Sequence, residues 1–333
     1  MVNFALFGAG RIGKIHGGNV SRHPHARLVA LCDPLLQNAD PLATALGCQQ
    51  WRQEEIFASD QIDAVLICSA TDTHADLIEQ AVACGKHVFC EKPIDLSLKR
   101  VRRVCKAVSA SNSTSMVAFN RRFDPNFQLL RQRIDAGDIG DVELVSIISK
   151  DPSPPPVSYI KASGGLFRDM TIHDFDMARF LLRDEIIEVS AQASCLVDPA
   201  IGDAGDVDTA VVTLKTKNGK LAQISNSRRA RFGYDQRIEV HGSRGMVEAR
   251  NVNESTVVSH TESGVSGAKP LYFFLERYEA AYRLELDSFV RSLSGEEVVL
   301  PDMDDGLQAL LMAEASLISV EQGRAVSLSE IDG

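Results

Sequence analysis

Three side chains in this 333-residue chain have the types and spacing that oxidation of an alcohol requires. Asp169 and His173 stand four residues apart in the run Gly164-Gly165-Leu166-Phe167-Arg168-Asp169-Met170-Thr171-Ile172-His173-Asp174-Phe175-Asp176, and Lys92 lies within Glu91-Lys92-Pro93. On a helix, side chains at that spacing are neighbours. An aspartate beside an imidazole fixes its tautomer and stabilises the imidazolium formed when it takes a proton. A hydride leaving carbon requires a base for the hydroxyl proton. His173 is the candidate base, Asp169 its orienter, and Lys92 the cation that holds the oxygen and stabilises alkoxide charge. Plainer readings stand beside these: a core or capping histidine, an aspartate that only caps a helix, a surface lysine. Asp169, His173 and Asp176 could also ligate a divalent metal, but no further ligand cluster accompanies them, and no metal is expected.

The hydride acceptor is indicated at the other end of the chain. Gly8-Ala9-Gly10-Arg11-Ile12-Gly13 follows the apolar run Val2 to Phe7 and opens a helix-like pattern. The first glycine permits a tight turn, the second lets the backbone approach a pyrophosphate, and the third lets helix and strand pack closely. Unpaired N–H groups at the helix start supply the anion site. Asp33 closes a second apolar run, Leu28 to Cys32, where an acid accepts hydrogen bonds from both ribose hydroxyls and repels a 2′-phosphate. Pro34 stands where a phosphate-binding arginine could have been, so NAD is expected rather than NADP.

The elements that must position these groups alternate between strand-like and helix-like over the first 120 residues. Asp40-Pro41 suggests an N-cap and first-turn proline of a short helix ending near Gly47. Ala64 to Cys68 reads as a strand buried on both faces, about His74 to Cys84 as a helix stopped by Gly85, and His87 to Cys90 as the next strand. Asp95 to Ser109 reads as a helix and Met116 to Phe119 as a strand. Such alternation predicts an α/β fold with a doubly wound parallel Rossmann sheet, whose ligands bind outside the carboxyl ends of the strands. Asp33, Ala70, Thr71, His74, Glu91, Lys92 and Asn120 lie at or just beyond those ends. With Gly8, Ala9, Gly10, Arg11 and Ile12 they form the expected dinucleotide site.

The remainder predicts an α+β domain with a large, mostly antiparallel open sheet. Asp124 to Ala136 reads as a helix, Val142 to Ser149 as a strand, and Asp151 to Gly165 as a loop rich in proline, serine and glycine. A helix begins near Asp169, and strands follow at Glu188 to Leu196, Thr209 to Thr216, Lys220 to Ser225 and Arg237 to His241. Asn218-Gly219 is a two-residue hairpin signal, and Gly242 to Gly245 is another turn. Ser263 to Pro270 reads as a loop, and helices Glu276 to Leu293 and Asp302 to Gln322 close the chain. The expected domains are residues 1–120 for the dinucleotide and 121–333 for substrate and oligomerisation, with the last helices able to pack back on the first domain.

The net charge of -10 argues against nucleic-acid or anionic-membrane surfaces. The short basic clusters, Arg121-Arg122 and Arg228-Arg229 with Arg231, are expected on solvated faces, in subunit contacts or at anion-binding spots. The first ten residues lack a basic n-region and a long apolar run, so no signal peptide is expected, and no apolar stretch approaches a membrane span. Seven cysteines without a CxxC pair suggest free thiols and a reducing cytoplasm.

In order, these motifs resemble the glucose–fructose oxidoreductase/inositol dehydrogenase/MocA family: GAGRIG, the acid after the second strand, Thr71-Asp72-Thr73-His74, Glu91-Lys92-Pro93, and Gly164-Gly165 to Asp176. The resemblance covers essentially the whole chain. Within the family, Asn120 to Asp124, Phe167 to Asp176 and Gly233 to Val240 most resemble inositol 2-dehydrogenases. This implies Lys92, Asp169 and His173 as the catalytic trio, and Arg122, Asp151, Asp176 and Tyr234 as further contacts to substrate hydroxyls. It also implies a homotetramer. Asp151-Pro152-Ser153-Pro154-Pro155-Pro156 departs from some polyol-specific members. The expected activity is NAD-dependent oxidation of a cyclic polyol, myo-inositol at its 2-hydroxyl above all. The rivals are another inositol isomer or a pyranose sugar, a non-catalytic dinucleotide sensor, and an NAD-dependent glycosidase of the same fold.

Overall fold

Runs of four to six consecutive apolar residues have no polar face to turn to water, and this chain buries them in the middle of a parallel sheet. The computed structural model describes residues 1–332. Its first unit comprises Met1–Phe123 with Ala281–Leu310, and its second Asp124–Ala280 with the chain from Leu311 onward. The expected boundary at 120/121 therefore lies three residues later, and a returning segment joins the first unit.

The first unit runs β1 (Val2–Phe7), α1 (Arg11–Arg22), β2 (Ala26–Cys32), α2 (Leu36–Leu46), β3 (Gln49–Gln50), α3 (Gln53–Ala58), β4 (Ala64–Ile67), α4 (Thr71–Ala83), β5 (His87–Cys90), α5 (Leu98–Ser109) and β6 (Ser115–Val117). The strands form one sheet in the order β3-β2-β1-β4-β5-β6, every pair parallel. Strand order reverses between β1 and β4, the switch point where such sheets open a ligand crevice. Asp40 does not start α2: the helix begins at Leu36 and carries Pro41 inside it. The reason lies upstream, where Asp33 Oδ1 accepts the Leu35 N–H at 2.8 Å and sets the turn before Asp40 is reached.

The second unit continues with α6 (Pro125–Asp135), β7 (Val142–Lys150), α7 (Val157–Ser163), a π-helical turn at Phe167–Thr171, α8 (Ile172–Leu182), β8 (Ile186–Ser194), α9 (Pro199–Asp203), β9 (Thr209–Thr216), β10 (Leu221–Ser227), β11 (Asp235–Gly242), β12 (Gly245–Ala249), β13 (Val258–Thr261), β14 (Gly264–Gly267) and α10 (Phe274–Arg277). Helices α11 (Glu279–Leu293) and α12 (Met303–Gln322) and strand β15 (Val326–Ser327) follow. A seven-stranded sheet has the order β12-β11-β7-β10-β9-β8-β15, antiparallel except where β7 meets β10.

Period-two alternation assigns each strand residue to a face. Ala222 and Ile224 on β10, Val145 and Ile147 on β7, and Ile238 and Val240 on β11 are all buried and lie in register as two apolar rows. Helix α11 serves the first unit in the same way. Its Leu286, Phe289 and Val290 join Phe4, Leu6 and Phe89 in one core, with the Phe289 ring 6.3 Å from Phe4 and 5.7 Å from Phe89.

Three expectations change here. The proline-rich segment 151–165 is not all loop, because the prolines end at Pro156 and leave Val157–Ser163 free to coil until left-handed Gly164 stops it. Ser263 to Pro270 contains β14, paired with β13 in a hairpin exposed along its whole length, so no apolar pattern announces it. The helix expected over Glu276 to Leu293 is broken at Tyr278 into α10 and α11.

Candidate active site

Two of the fingerprint glycines are required by contact, Gly8 by its conformation as well. Gly8 has φ +100°, and a Cβ there would lie 2.5 Å from the Cys68 carbonyl oxygen; a Cβ on Gly13 would lie 2.0 Å from the Gly8 oxygen. Gly10 caps α1, and Ala9 is buried while Arg11 is exposed and Ile12 half-buried. Asp33 Oδ2 accepts the Ala9 N–H at 2.6 Å, which ties the acid to the glycine turn and leaves each oxygen with further lone-pair capacity. A cleft of about 960 Å³ opens there, lined among others by Gly8, Asp33, Trp51, Arg52, Ser69 and Asp76.

Trp51 and Arg52 were not expected. They follow the two-residue edge strand β3, too short to show a pattern, although Trp51 is the chain's single tryptophan and lies at a strand's carboxyl end.

At the ends of β4 and β5 the polar residues divide into two kinds. Ala70 is exposed as the N-cap position of α4, and Thr71 begins that helix. His74 is buried, with Nδ1 2.9 Å from the Pro93 oxygen and Nε2 3.1 Å from the Ser69 oxygen. Burial lowers its pKa, and the neutral ring donates its one N–H to one of these carbonyls while its other nitrogen faces the second. His74, expected at the cofactor, thus braces the Glu91-Lys92-Pro93 turn from beneath. Glu91 is held by His16 Nε2 at 2.8 Å, and Lys92 is half-buried just past β5. Asn120 begins a 3-10 turn, and its buried Nδ2 has no hydrogen-bond partner within the protein, as a ligand-facing amide would. Arg122 is buried rather than solvated and pairs with Asp305 at 2.9 Å. A glycine turn that tolerates no Cβ at Gly8 or Gly13 and has open space at Gly10, an adjacent ribose-type acid and an unsatisfied buried amide fit a dinucleotide.

In the second unit, the sheet register assembles a polar end above the two apolar rows. Asn226 on β10, Ser149 on β7 and Gln236 on β11 lie side by side, with Asn226 Nδ2 3.3 Å from the Ser149 oxygen and Gln236 Nε2 3.1 Å from Ser149 Oγ. Continuing the register by one alternation brings Arg228, Asp151 and Tyr234 into the next row. The Asp151 N–H donates to the Ser227 oxygen at 2.9 Å, and the Arg228 N–H to the Asp208 oxygen at 2.8 Å. Tyr234 is buried, its ring 5.9 Å from Tyr278.

The π-helical turn and α8 face this polar end. Asp169 sits inside that turn and not at an N-cap, which removes the capping reading. A π-turn shifts the side-chain phase at the point where the chemistry is expected, a position such turns often take. Its Oδ1 accepts from the Tyr159 hydroxyl at 2.9 Å, and its Oδ2 from Arg228 Nη2 at 3.1 Å. Arg228 Nη1 reaches Asp151 Oδ2 at 3.2 Å. Burial works against the guanidinium's charge, but Asp169 and Asp151 outweigh it and hold its pKa raised. His173 is half-buried on the first turn of α8, and Asp176 is buried one turn on. Asp174 is anchored through Asn226 Nδ2 at 2.8 Å, and Thr171 Oγ1 reaches Asn226 Oδ1 at 2.7 Å.

Arg228 and Tyr159 were missed by sequence reading. Arg228 belongs to a basic cluster expected on a solvated face, in a subunit contact or at an anion-binding spot, and it is instead only 3% exposed and paired with two carboxylates of its own chain. Among the described residues, side chains at metal-ligand spacing occur at His16, Glu91 and Glu285, and not at Asp169, His173 and Asp176.

A dinucleotide cradle on a doubly wound sheet, followed by a second unit with acids, an imidazole and a buried guanidinium, defines a two-unit oxidoreductase. Residues 2–119 match the oxidoreductase family's NAD-binding Rossmann fold, and residues 127–248 match the GFO/IDH/MocA C-terminal domain. The chain belongs to the GFO/IDH/MocA family of NAD-binding oxidoreductases. It is 53% identical to inositol 2-dehydrogenase of Rhizobium meliloti, over 98% of this chain and 99% of that one. It is 45% identical to myo-inositol 2-dehydrogenase of Thermotoga maritima over the full length of both. Scyllo-inositol dehydrogenase from Lactobacillus casei, solved with NAD(H) and scyllo-inositol, superposes with a TM-score of 0.91 at 30% identity, covering 99% of each chain.

Proposed function

We propose that the protein is an NAD-dependent inositol 2-dehydrogenase that oxidises myo-inositol at its 2-hydroxyl to 2-keto-myo-inositol. The observation that carries this is the polar end of the second sheet. Asp151 and Asp169 are carboxylates paired to one buried guanidinium, one row beyond the Asn226, Ser149 and Gln236 row that tops the rows of Ile, Val and Ala. Ionised carboxylates accept hydrogen bonds only, so they suit a neutral substrate rich in hydroxyl donors. Relatives that share about half of this sequence over its full length bear inositol names.

Bound NAD supplies the hydride acceptor. In this reading His173 takes the hydroxyl proton, Asp169 orients the imidazole and balances its charge, and Lys92 stabilises the developing alkoxide. Arg122, Asp151, Asp176 and Tyr234 are the proposed further contacts to substrate hydroxyls. Gly8, Ala9, Gly10, Arg11, Ile12, Asp33, Ala70, Thr71, Glu91, Lys92 and Asn120 are the proposed cofactor contacts. A homotetramer is also proposed, supported by apolar residues left exposed on the second sheet. A cytoplasmic location is supported by seven free cysteines. No helix among the described residues is long and apolar enough to cross a membrane.

The test is NADH formation, followed by absorbance, with myo-inositol, scyllo-inositol, glucose, cyclohexanol and a 2-hydroxy acid. Myo-inositol is expected to give the highest kcat/KM. A site built to bond hydroxyls discriminates against analogues that lack them by up to about 10⁴-fold. Activity confined to cyclohexanol or the hydroxy acid overturns the polyol reading. Preference for scyllo-inositol or glucose overturns only the isomer.

A further inference from the structure

Arg228 is a buried charge in the second unit that the proposed chemistry does not use. One guanidinium fork bonds two different carboxylates, Asp169 at 3.1 Å and Asp151 at 3.2 Å, on two separate segments: the π-helical turn and the residue after β7. Around them stand Asp206, whose two carboxylate oxygens lie 3.1 and 3.0 Å from the Leu166 nitrogen, the Tyr159 hydroxyl on Asp169, and Tyr234 in the same row as Arg228 and Asp151. His173, Asp174 and Asp176 follow on α8.

Three aspartates thus share the surroundings of one guanidinium, Asp169 buried and Asp151 and Asp206 half-buried. Like charges so placed push a proton onto one of their number unless a cation stands among them. Asp206 has its pKa raised chiefly by burial, against the backbone N–H groups of Val207 and Leu166 and the charge of Arg228, with a smaller rise from Asp169. A protonated Asp169 can neither balance an imidazolium nor act purely as an acceptor toward the ring N–H.

We propose that Arg228 is a positioning residue for the oxidation, its fork holding Asp169 and Asp151 together as anions so that Asp169 can orient His173 and Asp151 can accept a substrate hydroxyl. The proposal rests on the reading of Asp169 and His173 as orienter and base. Shape matters as much as charge here. A lysine ammonium is a point donor on a flexible stem and cannot reproduce a planar fork that spans two acids.

The experiment compares the unaltered enzyme with Arg228→Gln and Arg228→Lys, measuring kcat and both KM values with NAD and myo-inositol from pH 6 to pH 10, with circular dichroism as the fold check. Arg228→Gln is expected to lower kcat by about 10²-fold while the KM for NAD stays within about twofold. The acid limb of its pH profile should move up by about 1–3 pH units, the range by which an adjacent arginine lowers a carboxylate's pKa. Arg228→Lys should recover about tenfold of the lost kcat and show a smaller shift in the same direction. An active, folded Arg228→Gln enzyme with an unmoved acid limb overturns the proposal and leaves the dehydrogenase reading standing, as does loss of kcat with no change in profile shape. Should Arg228→Gln not fold, Arg228→Lys decides alone: a profile coincident with that of the unaltered enzyme overturns the proposal. If the unaltered protein oxidises no inositol, the functional reading fails first and takes this one with it.

Discussion

Asp33 binds at two places at once, its Oδ2 on the Ala9 N–H of the glycine turn and its Oδ1 on the Leu35 N–H beyond it. The backbone thereby holds the carboxylate at the mouth of the NAD cleft, with acceptor capacity left for two ribose hydroxyls. Hydrogen bonds to a charged acceptor contribute about 1.5–3 kcal/mol each. Asp33→Ser should therefore raise the KM for NAD by one to two orders of magnitude, on the order of one or two such bonds. It should also narrow the preference over NADP, because the repulsion of a 2′-phosphate goes with the charge. Steady-state kinetics with both cofactors measures this. An unaltered enzyme that uses NADP as efficiently as NAD would show that Asp33 does not select the cofactor.

Among the elements, α11 returns to the first unit and brings with it a buried acid. Glu285 is fully buried beside His16 of α1 and Glu91 past β5, its Oε1 3.8 Å from His16 Nε2, and neither carboxylate oxygen has a hydrogen-bond partner. Burial, and then repulsion from Glu91, push its pKa well above the usual carboxylate range. A carboxyl whose folded pKa lies above its unfolded value stabilises the fold fully only below the unfolded value. That contribution is lost as pH rises toward the folded value. Glu285→Gln keeps the shape of the neutral acid and removes this loss. The melting temperature of the variant relative to the unaltered protein should thus rise between pH 5 and pH 8. A difference that stays level or falls across that range would mean Glu285 is held as a paired anion.

The same scale shows what could be read from the chain beforehand. The continuous apolar runs of β1 and β4 and the glycine turn between β1 and α1 were legible because burial on both faces leaves an unmistakable composition. Arg228 was not, since with its neighbours Arg229 and Arg231 it suggested a solvated face, a subunit contact or an anion-binding spot. The signal that could have found it is parity. Ala222, Ile224 and Asn226 are buried on β10, and Arg228 is the next residue on that face. Hairpin β13–β14 has exposed side chains throughout and so leaves no such trace. Tyr159 was hidden because proline-rich composition in residues 152–156 masked the short helix that follows.

At the scale of the whole molecule, the second sheet is one-sided. Its inner face is filled by buried Ile, Val, Leu and Ala, whereas its outer face leaves Leu144, Leu221 and Met246 at 36%, 45% and 43% exposure. Leu144 and Leu221 are direct register partners on β7 and β10, and Met246 pairs with His241, which in turn faces Leu144 on β7. Three exposed apolar side chains with His241 among them, in one row across four neighbouring strands, are unusual for a face bathed in water, and such a patch suits an association surface. A closed symmetric assembly would cover it by meeting the same face of another copy. Light scattering after size exclusion should give a mass of about four times the 36.3 kDa of one chain. Leu144→Lys with Leu221→Lys sets like charges side by side on both faces of such a contact, where desolvation makes their repulsion costly. The doubly substituted protein should elute as a smaller species while its circular dichroism is retained, because both positions point away from the inner core. A monomeric unaltered protein, or a tetramer untouched by the two lysines, would place the assembly surface elsewhere or remove it.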